Sequence, residues 1–334
     1  MVSFFETMRS RTSMTVFLIA AISALAFPAS ASLGVQSRLG AGDHTFSIRH
    51  DGRARRYIAH VPSGARSVAL PVMIAYHGGG GEAQGFKDYA GLDVVADREH
   101  FIVVYPNGTG LLPNRLLTFN GGGCCGYAKE NNVDDVGFTM AMLDDLAKRT
   151  RIDRNRIYAT GHSNGAIMAY RLAAERANEI AAIVPVAGAM SVDRFAPARP
   201  VAVLDIHSVD DPRALYDGGI GPPFPGTNHR ETHQPVQKGL DQWIRTDGCN
   251  PTPTTTETRR GKPRAADASH TATKLVWAGC KGNVEIVHWK ITGAGHMWPG
   301  GGRGGLAEAL VGPATSVIDA AEEAWKFASR FHLR

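Results

Sequence analysis

Cysteine is scarce in this chain: four residues in 334, at 124, 125, 249 and 280. Long apolar runs are scarcer still. The longest candidate, Met14 to Phe27, falls short of the about 20 residues that a membrane-spanning helix needs. Charged residues make up 20%, and the net charge is +5. The basic residues are scattered apart from "TRRGKPR" at Thr258 to Arg264, which reads as a solvated loop. A nucleic-acid face is therefore not expected. No internal repeat occurs at a fixed period, and no Ser/Thr/Pro linker divides the chain. Hydrophobic residues, at 43%, suffice for a sizeable core.

The beginning of the chain is best read as a leader. Arg9 and Arg11 precede the Met14–Phe27 run, and Ala29-Ser30-Ala31 follows it. A positive flank, a short apolar core and an A-x-A site form an export signal. The expectation is a signal peptide over 1–31 and one catalytic domain over 32–334. The product would be secreted or periplasmic, without a stable membrane anchor. An oxidising compartment makes disulfides the first expectation for the four cysteines. Adjacent Cys124 and Cys125 are poorly spaced for one tetrahedral metal. A Cys249–Cys280 bridge would close a loop worth about 3–4 kcal/mol in the chain-entropy model. Cys124 and Cys125 would then pair with each other, although two crossed bridges remain the alternative.

Past the leader, Asp51-Gly52 separates two β-prone arms, a hairpin signal. Short Val- and Ile-rich runs follow at Val72–Tyr76, Phe101–Tyr105, Ile157–Thr160, Ala181–Val186 and Val201–Ile206. They do not alternate with polar residues, as befits strands buried on both faces of a parallel sheet. Helical periodicity marks Val136–Lys148, Gly165–Ala177 and Val317–Phe331. Alternating strands and helices predict an α/β fold with a mostly parallel central sheet, entered through an antiparallel hairpin. Pro212 to Pro235 is rich in glycine and proline and reads as a loop, either pocket wall or passive surface.

The chemistry gathers around Gly161-His162-Ser163-Asn164-Gly165, a G-x-S-x-G sequence between a strand and a helix. That setting is what a nucleophile elbow requires. Ser163 is the candidate nucleophile, and it needs a base within hydrogen-bond reach and an acid to orient that base. His162 is a poor base, since adjacent side chains at a tight turn diverge; it is read as lining the site. His296 in "GAGHMWPGG", just past the predicted strand Val284–Ile291, is the candidate base. Asp211, just past a strand end and followed by Pro212, is preferred to Asp210 as the acid. Four glycines follow His77, which nominates the N–H groups of Gly79 and Asn164 as an oxyanion hole. That run lacks the G-K-[ST] ending of a phosphate loop. Trp298 and the loop Tyr216–Pro225 are candidates to shape the acyl pocket, with core packing the alternative for Trp298.

The ordered motifs "YHGGGG", "GGGCCGYA", "VDDVGF", "DRNRIYATGHSNGAIMAYRLA", "DIHSVDDP" and "GAGHMWPGG" resemble those of esterases related to polyhydroxybutyrate depolymerases and to bacterial feruloyl or acetylxylan esterases. The resemblance implies an α/β-hydrolase fold, a secreted carboxylic-ester hydrolase and the triad Ser163, Asp211 and His296. It implies no metal or organic cofactor. The substrate it implies is a hydroxyalkanoate polyester or oligomer, with plant cell-wall feruloyl or acetyl esters as the alternative. A serine peptidase is a weaker reading. A non-catalytic binding protein of this fold is weaker too, because no triad member is missing.

Overall fold

The computed structural model describes residues 39–64, 68–224, 228–301 and 307–333. The expected signal peptide at 1–31 lies outside the described residues. The chain enters through the hairpin β1 (Gly42–His50) and β2 (Arg53–Val61), with Asp51 and Gly52 at its turn, both at positive φ. Strand β3 (Leu70–Tyr76) is followed by helices α1 (Ala83–Ala90) and α2 (Leu92–Glu99), then β4 (Ile102–Pro106). Helices α3 (Gly126–Glu130) and α4 (Asp135–Arg149) lead to β5 (Ile152–His162), which passes into α5 (Asn164–Glu175). Strands β6 (Ala182–Val186) and β7 (Ala202–Ser208) precede a two-stranded cap, β8 (Gly219–Ile220) and β9 (Thr232–His233). Helix α6 (Val236–Asp247), strands β10 (Thr254–Arg260), β11 (Thr271–Trp277) and β12 (Ile286–Thr292), and helices α7 (Glu308–Val311) and α8 (Ala320–Ala328) complete the order.

The large sheet runs β1-β2-β4-β3-β5-β6-β7-β12-β11-β10. From β4 to β12 all pairs are parallel, and antiparallel pairs extend both edges. The architecture is an α/β-hydrolase fold. Consecutive side chains of β3 go to opposite faces, which is why the strand is apolar throughout. Met73 and Ala75 join the layer under α1, α2 and α8, with Phe86, Leu92, Val95 and Phe327. Val72, Ile74 and Tyr76 join the layer under α4, α5 and α6, with Phe138, Met142, Met168, Leu240 and Trp243. Full burial of each such side chain contributes roughly 1.5–3 kcal/mol.

One element departs from the sequence reading, and the cysteine pairing is resolved. Thr258 to Arg264 is not simply a solvated loop: Thr258–Arg260 ends the edge strand β10, and the turn follows. Most of its side chains are exposed, and among the described residues only one edge of β10 is paired, so polar residues there suit an open strand edge. Cys249–Cys280 is a disulfide that closes this antiparallel extension, and Cys124 is bonded to Cys125, so the bridges do not cross.

The topology also fixes where a ligand can sit. The chain leaves β3 for β4 on one side and returns to β5 on the other. Connections diverge at that point and open a crevice at the strands' carboxyl ends. The loop after β3 carries the four glycines, and the loop after β5 carries Ser163.

Candidate active site

Ser163 stands between the last residue of β5 and the first of α5, at φ 57° and ψ −118°. A non-glycine residue there is strained by about 1–3 kcal/mol. The surroundings hold it in place. Ser163 N donates to Val186 O at 2.8 Å, and Ser163 O accepts from Ala166 N at 2.9 Å. The elbow's glycines are dictated by close approach: a Cβ on Gly161 would lie 2.5 Å from the Gly165 backbone, and one on Gly165 would run into Tyr76 O. Asn164 clamps the next loop with its side chain, accepting from Phe119 N at 2.7 Å and donating to Phe119 O at 2.9 Å.

The four-glycine loop lies against this elbow. A Cβ on Gly78 would stand 3.4 Å from Ser163 Cβ, and one on Gly79 would stand 3.6 Å from Asn164 Cβ. The backbone N–H groups of Gly79 and Asn164 have no acceptor among the described residues. His77 sets the loop's path. Its Nδ1 donates to Gly78 O at 2.8 Å, and its Nε2 accepts from Gly108 N at 3.0 Å. That tautomer is neutral, and burial lowers the His77 pKa to about 4.

Asp211 and His296 meet across the ends of β7 and β12. His296 Nδ1 donates to Asp211 Oδ2 at 2.8 Å, while Asp211 Oδ1 accepts from Arg213 N and Ala214 N at 2.7 and 2.8 Å. Burial alone would raise the Asp211 pKa. The charge that His296 can carry, its hydrogen bond, and the His207 ring, whose Nε2 lies 3.5 Å away, outweigh it and hold the carboxyl well below the usual range. Asp210 points elsewhere and accepts from Gly293 N at 2.7 Å. With Ser208 Oγ donating to Ala294 O at 2.6 Å, it stitches the acid turn to the base loop. His296 N is itself tied to Val311 O. Among the described residues Ser163 Oγ makes no hydrogen bond; in unliganded sites such bonds commonly tighten only with substrate present.

Ser163, Asn164, Gly79 and His296 all border one cavity of about 400 Å³. Phe86, Tyr89, Leu310 and Val311 give it an apolar wall, and Leu116, Ile167 and the Cys124–Cys125 disulfide another. The expected loop Pro212–Pro235 is wall and not passive surface, since Arg213, Phe224, Glu231 and His233 line the cavity. His162 also lines it, with its ring 4.8 Å from that of His296. Burial first, then the charge on His296, pushes the His162 pKa well down, so the ring is a neutral neighbour of His296.

Two expected pocket residues are corrected. Trp298 does not line the cavity: it is fully buried behind Phe86, with Nε1 donating to Ala90 O at 2.9 Å. Tyr216 does not line it either. Its hydroxyl reaches 3.0 Å to His288 Nε2, beneath the acid turn. His288 is in turn 2.8 Å from Asp205, which accepts from Tyr170 at 3.0 Å. This second Asp–His pair escaped sequence reading because only the β7–β12 register sets His288 opposite Asp205. The neighbouring side chains also disqualify two apparent metal clusters. Cys124 and Cys125 near Glu231 are already bonded to each other, and Asp43 and Asp93 near His60 already share Lys87.

A family model described as esterase PHB depolymerase matches residues 55–233, more than half of the chain and short of His296. A putative esterase, NocK of Nocardia uniformis subsp. tsuyamanensis, is 28% identical over 75% of this chain and 72% of its own. Feruloyl esterase B of Piromyces equi is 26% identical over 72% of this chain, a match that spans only 42% of that protein. Among solved structures, native sOPH superposes with a TM-score of 0.52 at 15% identity, covering 88% of this chain and 89% of that one; at that identity the likeness concerns the fold alone. No helix among the described residues is long and apolar enough to cross a membrane. The chain belongs to the esterase PHB depolymerase family and is a carboxylic-ester hydrolase of the polyhydroxybutyrate depolymerase, feruloyl and acetylxylan esterase type.

Proposed function

We propose that the chain hydrolyses esters through Ser163, His296 and Asp211, acting on hydroxyalkanoate oligomers or polyester. One observation carries this reading: a strained Ser163 at a strand–helix junction opens on the same cavity as a histidine bonded to a buried aspartate. Ser163 Oγ attacks the ester carbonyl carbon as its proton passes to His296 Nε2. Asp211 holds the Nδ1–H and favours the imidazolium that forms. The N–H groups of Gly79 and Asn164 receive the oxyanion, a pair of donors each worth about 100- to 1,000-fold in rate. Collapse breaks the ester C–O bond, and His296 returns the proton to the departing alcohol. A water deprotonated by His296 then releases the acid from Ser163.

The aromatic side chains of Phe86, Tyr89 and Phe224 favour a second reading, a feruloyl ester whose flat acyl group stacks on them. Feruloyl esterase B among the relatives is in keeping with it. The test of the common mechanism is Ser163→Ala. Hydrolysis of p-nitrophenyl butyrate should vanish while circular dichroism stays unchanged; normal turnover would end the reading. Rates on hydroxybutyrate oligomers, methyl ferulate and acetylated xylan then separate the substrates. We also propose export directed by residues 1–31, so the mature protein should begin at Ser32. An exported protein that retains Met1 would contradict it.

A further inference from the structure

One cationic side chain on the cavity wall stands without a counter-ion among the described residues. Glu82 commits its carboxylate to the N–H groups of Gln84 and Gly85, at 3.1 and 2.7 Å. Glu231 accepts from His229 at 3.0 Å. Burial lowers the pKa of His233, which keeps that ring neutral. Arg213 differs from all three. Its Nη2 donates to Pro223 O at 3.1 Å and its guanidinium stands 6.0 Å from the Phe224 ring, but it forms no ion pair among the described residues. The carboxylate that acts on its charge is Asp211, already held by His296 and by the backbone of Arg213 and Ala214. A guanidinium keeps its charge even when half-buried, and its planar fork matches a carboxylate.

Its place in the chain says which part of a substrate it meets. Arg213 follows Asp211 by two residues, and its own N–H holds the carboxylate that orients His296. It therefore roots on the acid–base side of the cavity. His296 must hand its proton to the leaving alcohol, so groups on that side face the alcohol portion of the ester. Building on the serine-esterase reading above, we propose that Arg213 is a specificity determinant that binds a free carboxylate on the leaving alcohol. The preferred substrates are then short esters whose alcohol part is a hydroxy acid, cleaved from the carboxylate end. The ester C–O bond breaks, water supplies hydroxyl to the acyl carbon and a proton to the alkoxide, and a free hydroxy acid leaves. In a β-hydroxy acid the carboxylate carbon lies three bonds from the ester oxygen. A cavity of about 400 Å³ suits such a short chain end. A neutral sugar alcohol, by contrast, would leave the Arg213 charge unanswered in a half-buried site.

The experiment compares the linear dimer of 3-hydroxybutyrate as its free acid and as its methyl ester. Values of kcat/KM are measured for the wild type, Arg213→Met and Arg213→Lys. The ratio of acid to methyl ester, taken within each protein, cancels any general loss of turnover. The wild type should favour the acid by roughly 10- to 100-fold, the range of a hydrogen bond to a charged group. Arg213→Met should bring the ratio to about one, and Arg213→Lys should keep part of the preference. Equal rates on the two substrates in the wild type, or an unchanged ratio in Arg213→Met, would overturn the proposal. Hydrolysis of p-nitrophenyl butyrate without hydrolysis of either dimer refutes the role of Arg213 and spares the esterase reading. A folded wild type inert towards all three compounds would refute both.

Discussion

Two Asp–His pairs bridge the same two strands of this protein. Asp205 and His288 face each other inside the sheet, and Asp211 and His296 meet just beyond its edge. Both are 2.8 Å apart, and both aspartate side chains are sealed from solvent. The inner histidine is sealed as well, with Tyr216 at its second nitrogen. The outer histidine turns its free side to the cavity that Ser163 shares. An Asp–His pair is therefore not a catalytic device in itself. The surroundings of the imidazole differ: His288 is enclosed with Tyr216 at one nitrogen, and its Nδ1 and Asp205 Oδ2 stand close without a hydrogen bond, whereas His296 hydrogen-bonds Asp211 and faces the cavity.

The strongest way to break the comparison is to disable the outer pair alone. Asp211→Asn should lower kcat for p-nitrophenyl butyrate by about 10⁴-fold, as the loss of an orienting carboxylate does in other serine triads. The inner pair should respond in the opposite currency, stability over rate. His288→Leu leaves Asp205 with Tyr170 as its hydrogen-bond partner and strips the Tyr216 hydroxyl of its own, and a buried polar group left unsatisfied costs about 1–3 kcal/mol. Urea unfolding should report that loss, and a wild-type midpoint would show that the inner pair is structurally idle. The smallest effect concerns acid. The native Asp211 pKa is depressed below its unfolded value of about 3.9, so its contribution to stability is complete above that pH. It fades as the pH falls through that value toward the native one. The stability of Asp211→Asn should consequently vary less than that of the wild type below about pH 4, as measured by urea titration. Parallel curves would mean that the carboxylate is no better held in the fold than in the unfolded chain.

The outer pair and the elbow were legible in the sequence because each rests on local signals. Apolar runs ending in polar turn residues mark strand ends in a parallel sheet; glycines surround Ser163 and His296 at such places, and Pro212 follows Asp211. The inner pair had no local signal: Asp205 and His288 are ordinary members of their strands until register brings them together. Trp298 misled for a related reason. It lies two residues from His296 in a glycine-rich loop, yet its indole turns inward to Phe86 and Ala90. Loop position predicts nearness along the chain, but it does not predict the direction of a side chain. Tyr216 failed similarly, because packing against His207 and His288 draws it under the acid turn. The strand β10 was missed because threonines and arginines on an exposed edge imitate a loop in composition.

The cap leaves the body of the protein and comes back to almost the same point. Val236 N donates to Tyr216 O at 2.9 Å, and Gly218 N donates to Leu215 O at 3.1 Å, so the excursion is closed at its neck. None of the described residues beyond the neck, the β8–β9 pair and Phe224 included, hydrogen-bonds Asp211, whose partners are His296 and the backbone of Arg213 and Ala214. The entropic cost of a longer closed loop grows only about as the logarithm of its length. The neck thus ties down a wall of the cavity at a point separate from the bonds that hold Asp211 against His296.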